Sequence, residues 1–105
     1  MTTYVITIPG TFLRDPSDDV RSALVGLLRP ADPHHTSLGQ QEDLDLLTVN
    51  DDNTFSIRLE VTADDSRNAE EDAKRTAASA LREAGFAPDE APLGPATVTG
   101  IDNQA

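Results

Sequence analysis

The sequence predicts an α+β domain in which a four-stranded antiparallel sheet carries two helices on one face. Three observations carry that reading. Thr54 to Thr62, TFSIRLEVT, sets Phe55, Ile57, Leu59 and Val61 in strict alternation with Ser56, Arg58, Glu60 and Thr62. Successive strand side chains point to opposite faces, so a period of two marks a strand with one buried side and one wet side. Two stretches with helical periodicity and start signals flank this segment at a distance. Turn chemistry, rich in Pro, Gly, Asn and Asp, separates the periodic stretches.

In chain order, Tyr4 to Ile8 reads as a strand, with Tyr4, Ile6 and Ile8 on one face and Val5 and Thr7 on the other. Its β-branched residues suit a pleated, half-buried surface. Pro9-Gly10 is expected to end it, because proline has no N–H to donate and glycine tolerates a bend. Asp15-Pro16 predicts a helix start with Asp15 as N-cap, and Ser17 competes for that role. Val20, Ala23, Leu24, Leu27 and Leu28 then form one apolar stripe, closed by Pro30. Residues 30–42, PADPHHTSLGQQE, show no period and are long for a loop in a compact domain, which marks them as functional or loosely ordered.

Leu44 to Val49 predicts a second strand, and Asn50-Asp51-Asp52-Asn53 a hairpin turn into Thr54. A second helix follows, with Asn68 or the earlier Ser66 as cap. Ala69, Ala73, Ala77, Ala80, Leu81 and Ala84 lie on one face of it. So thin a stripe lets the helix approach the sheet closely. Gly85 fits the left-handed residue after the helix, with Phe86 folding back onto it. A proline-rich loop leads to a last strand, Ala96 to Ile101. The whole of residues 1–105 is one domain, with an ordered core over about 3–101 and a frayed tail at 102–105.

The order strand, helix, strand, strand, helix, strand, with the helix-end pattern AxxALxxAGF from Ala77 to Phe86, resembles the ferredoxin-like split βαβ (βαββαβ) superfamily. That resemblance implies central first and third strands and one bare sheet face. It indicates a fold and not an activity. Acylphosphatases of this architecture hold phosphate on a glycine-rich loop after the first strand. Here Gly10 and Arg14 alone match that loop, and the role is not carried over. The architecture's RNA-binding members stack bases on aromatics of the central strands. The exposed positions here, Ser56, Arg58, Glu60, Val5 and Thr7, contain none.

A net charge of −11, from 19 acidic and eight basic residues, argues against a nucleic-acid ligand, since phosphates would be repelled. The acids are spread along the chain, as a solvated surface requires. The sharper alternative is an acidic decoy that occupies a nucleic-acid-binding partner. Seven of the eight basic residues are arginine and alanine is abundant, as a GC-rich bacterial coding sequence would give. The absence of cysteine removes disulfides, thiolate zinc sites and cysteine nucleophiles. MTTYVITIPG lacks the marks of a signal peptide, and no stretch approaches the ~20 apolar residues of a membrane span. A cytoplasmic protein is expected.

His34-His35 is a histidine pair in the long loop, near Asp32 and Glu42, but no spacing makes a ligand set of three or four. Asp18-Asp19, Asp51-Asp52 and Asp64-Asp65 lack the alternating ligands and central glycine of a calcium loop, and read as helix starts and turns. Serine-nucleophile elbows and glycine-rich nucleotide loops are absent. No catalytic residue, metal site or cofactor is therefore assigned. The expected function is a non-catalytic interaction or structural module, dimerising or binding a protein through the bare sheet face at Val5, Thr7, Ser56, Arg58, Glu60 and Thr62. A small-molecule-binding protein or cofactor-free enzyme of the dimeric α+β barrel type is the alternative, with Tyr4, His34, His35 and Arg58 as its polar candidates.

Overall fold

A computed structural model describes residues 2–29 and 46–102. Within them the chain runs β1 (Thr2–Thr11), α1 (Asp18–Leu28), β2 (Leu47–Val49), β3 (Thr54–Ala63), α2 (Ser66–Glu83) and β4 (Thr97–Asp102). The four strands form one antiparallel sheet in the order β2-β3-β1-β4. β1 and β3 are the central pair, matched from Thr2 opposite Ala63 to Thr11 opposite Thr54.

That register places like with like. Tyr4 faces Val61, Ile6 faces Leu59 and Ile8 faces Ile57, so the apolar sets of both strands share one side of the sheet. Leu24 and Leu28 of α1 and Ala69, Ala73, Ala77, Ala80 and Leu81 of α2 join this side in a single buried cluster. The α2 stripe is the one the spacing predicts. On α1, Ala23 and Leu27 are exposed, and Val25 packs against the cluster in their place beside Val20. The helix is rotated so that a narrower stripe meets the core.

α2 ends as a left-handed glycine dictates. Gly85 has φ 104°, its N–H reaches the Arg82 carbonyl at 3.1 Å, and the Phe86 N–H reaches that of Leu81 at 2.9 Å. These two bonds define the Schellman closure, and Phe86 turns back into the core as its hydrophobic partner. The β2–β3 turn is a three-residue loop with Asn53 in the left-handed region at φ 66°, closed by Asn53 N–H to the Asn50 carbonyl at 3.0 Å and Asn50 N–H to that of Thr54 at 2.8 Å.

Several boundaries differ from expectation, each for a local reason. Pro9-Gly10 does not end β1. The Pro9 carbonyl accepts from Gly94 N–H at 2.7 Å, on the side where β4 has already ended, so the missing proline N–H breaks no bond to β3. Gly10 stands opposite Phe55, and a Cβ there would overlap the Phe55 ring. Its purpose is close approach, not a bend. Ser17, not Asp15, caps α1, accepting from Val20 N–H at 3.2 Å, while Asp15 accepts instead from Asn53 Nδ2 at 2.6 Å. Asp65, not Asn68 or Ser66, caps α2, through Asn68 N–H at 2.8 Å. Its side chain sits three residues before that amide, the spacing a cap needs. The second strand is in place over Leu47–Val49, and Asp102 extends β4 by pairing with Thr3. The expected loop at 30–42 and tail residues 103–105 lie outside the described residues.

Two substitutions check this arrangement by chemical denaturation. Leu59, fully buried between the helices and the sheet centre, is expected to lose about 2–5 kcal/mol on truncation to alanine. Gly10→Ala, which must displace the buried Phe55 ring, is expected to destabilise by about 1–3 kcal/mol as an overpacked site. An unchanged midpoint for either variant contradicts the packing described.

Candidate functional site

The face of the sheet away from the helices is built by the polar half of each alternating strand. Val5 stands opposite Glu60, Thr7 opposite Arg58, and Thr3 opposite Thr62. Ser56 stands opposite Thr48 on β2. The six predicted face residues, Val5, Thr7, Ser56, Arg58, Glu60 and Thr62, thus lie on one surface. Val5, expected to be exposed, is instead fully buried, although it is not part of the helix-side cluster. Thr7, Ser56, Arg58 and Glu60 are half-buried, and Thr62 is exposed.

Hydroxyl groups tie the surface together across the strands. Thr3 and Thr62 Oγ1 atoms lie 3.0 Å apart, and those of Thr7 and Thr99 lie 2.9 Å apart. Thr99 is the extra residue of a bulge in β4, where pairing shifts between Val5 and Ile6, and its hydroxyl also donates to the Val5 carbonyl at 3.2 Å. Arg58 Nη1 reaches Thr48 Oγ1 at 3.4 Å. Thr3 and Thr48 were not among the predicted residues. Both follow from extending the same alternation, outward from Val5 along β1 and through Leu47-Thr48-Val49 on β2.

Tyr4 does not join this group. It lies on the opposite side of the sheet, 8% exposed, within the core. His34 and His35 lie outside the described residues. Among the described residues, no three His, Cys, Asp or Glu side chains come together as a metal-ligand set. Asp18-Asp19 occupy the first turn of α1, Asp51-Asp52 the hairpin turn, and Asp65 the α2 cap.

Beyond the end of β1, Arg14 is committed to structure. Its Nε donates to Glu90 Oε2 at 2.9 Å, its Nη2 donates to the Gly85 carbonyl at 2.7 Å, and its guanidinium lies 4.5 Å over the Phe86 ring. Glu90 Oε1 accepts from Ala87 N–H at 2.9 Å. That backbone donor first, and Arg14 second, hold the Glu90 carboxyl below its ordinary value. Asp52 is lowered likewise, by the Thr54 hydroxyl at 2.6 Å and then the Thr54 N–H at 3.1 Å. These groups fasten loops to the sheet ends and leave the polar side of the sheet, away from the helices, as the candidate site.

No protein-family model, no curated protein and no solved structure matches this chain. Among the described residues, no helix is long and apolar enough to cross a membrane.

The lowered carboxyls make acid the stressor. A folded-state value below the ordinary 4.5 of glutamate means that Glu90 contributes stability above that pH and loses it as the pH falls through the folded value. Glu90→Gln is therefore expected to lower the thermal midpoint at neutral pH, with the gap to the parent protein closing as the pH drops below 4.5. Melting curves over the acid range check it; a gap that stays constant with pH contradicts the assignment.

Proposed function

We propose that this chain is a non-catalytic interaction module of ferredoxin-like βαββαβ arrangement that works through its open sheet face, with a second copy of itself as the partner. The arrangement is supported by the order β2-β3-β1-β4 with β1 and β3 central, and by the joint burial of both helices in one cluster. A cytoplasmic setting, in keeping with a chain free of cysteine, belongs to the same reading.

One observation carries the choice of surface. The chain has a net charge of −11, yet the centre of the open face holds one cation, Arg58, and one anion, Glu60, among threonines, a serine and Val5. Two copies repel through most of their surfaces and least through this one. A two-fold pairing is self-complementary in charge, because each copy brings one cation and one anion to the same face. The hydroxyls are already held by their neighbours, so few side chains must be ordered on contact. A face four strands wide offers on the order of 500 Å² per copy, the low end for a specific interface, which makes the dimer a weak one.

Light scattering after size exclusion, over about 1–200 µM, is expected to show a concentration-dependent shift from monomer to dimer. Arg58→Glu is expected to abolish the shift, and pairing it with Glu60→Arg is expected to restore it. A strict monomer across that range, or a dimer indifferent to the charge reversal, overturns the proposal.

A further inference from the structure

We infer a second site, independent of the open sheet face: a small apolar cavity between α2 and the loop that follows it, which takes a small aromatic carboxylic acid. The cavity is about 180 Å³ and is lined by Lys74, Ala78, Leu81 and Arg82 of α2 and by Phe86, Ala87, Pro88, Ala91 and Leu93 beyond it. Leu81, Phe86 and Ala91 form its buried floor. Ala78, exposed and one turn from both Lys74 and Arg82, leaves a notch in the helix wall that a larger side chain would fill.

Size sets the apolar part of the ligand. A cavity of ~150 Å³ accommodates one benzene ring, whereas drug-sized ligands need roughly 300 Å³ or more. Charge sets the polar part. Lys74 is the chain's one lysine, and with Arg82 it brings two of the eight basic residues to a lining without any carboxylate. Arg14, Arg21, Arg67 and Arg75 each meet an acid, but neither Lys74 nor Arg82 meets one among the described residues. Arg82 alone is explained by the helix C-terminus, where a cation is favourable. Lys74 sits mid-helix, eight residues earlier or about 12 Å along the axis, one turn after Glu70 and Glu71 but in no ion pair with either, Glu71 being paired with Arg67. Two cations that pair with no described acid, at the mouth of a ring-sized apolar cavity, select a ring bearing an anion. Of the two acids in the same loop, Glu90 is paired with Arg14, and Asp89 is exposed to solvent, where salt weakens its repulsion.

Amide chemical-shift titration of the full chain with benzoate and phenylacetate tests this. The expected result is saturable shifts in residues 74–93, with benzamide binding about three- to tenfold weaker, the range two exposed cations supply. Ala78→Leu, which fills the notch with a strong helix former, is expected to remove the shifts while the thermal midpoint is kept. Lys74→Glu with Arg82→Glu is expected to weaken benzoate and leave benzamide unchanged. No saturable shift up to 10-millimolar order of ligand, equal binding of acid and amide, or binding that survives Ala78→Leu overturns the inference. Because none of these residues lies on the open sheet face, dimerisation and acid binding fail or succeed separately.

Discussion

Much of the structure depends on one stack of rings at the end of the sheet where β1 leaves it. Phe12 lies between Phe55, at 4.3 Å between ring centroids, and Phe86, at 5.1 Å, and these are all three of the chain's phenylalanines. Each comes from a different part of the chain: the exit of β1, the start of β3 and the closure of α2. The stack exists only because Gly10 has no side chain where the Phe55 ring sits. Rings at such separations add about 0.5–1.5 kcal/mol per pair beyond the area they bury. Arg14 covers the outer ring and carries the clamp onward to Glu90. With side chains 48% and 38% exposed, that ion pair is worth little by itself, and its value lies in fixing the loop over the rings.

The two faces of the sheet answer different demands. On the helix side, large residues from the strands meet alanines from α2 in one buried cluster. On the other side, threonine is the recurrent choice. It satisfies its hydroxyl across the strand while keeping the β-branched shape that a pleated surface favours. That combination brings one cation and one anion to the centre of this side, on a chain with a net charge of −11. Four of the 19 acids are used locally: Asp15 by Asn53, Asp52 by Thr54, Asp65 by the α2 backbone and Glu90 by Arg14. Their abundance serves caps, turns and clamps as well as solubility.

Periodicity made the elements legible. The alternation in β3, the alanine stripe of α2 and the Gly85-Phe86 closure all follow from spacing and from the backbone needs of one residue type. The boundaries were less legible, because caps compete: Ser17 and Asp15, or Asp65, Ser66 and Asn68, are chemically similar and differ only in what else is near them. Pro9-Gly10 was misleading for a related reason. Proline ends a strand only where its absent N–H has a neighbour to disappoint, and that depends on where β4 stops. Which residues share the polar side of the sheet was readable from alternation alone, whereas the cavity beside Lys74 and Arg82 was not, since its second wall comes from a loop without any period.

The alanine stripe has a consequence for how α2 comes loose. Ala69, Ala73 and Ala77 are fully buried, but each contributes only a methyl group, whereas Leu81 and Phe86 bury far more apolar surface at the other end. Anchorage is therefore graded along the helix, weakest near Asp65 and strongest near Gly85. Opening fluctuations start at the N-terminal turns and stop where the rings begin. The helix is hinged like a door, and the phenylalanine stack is the side on which it hangs.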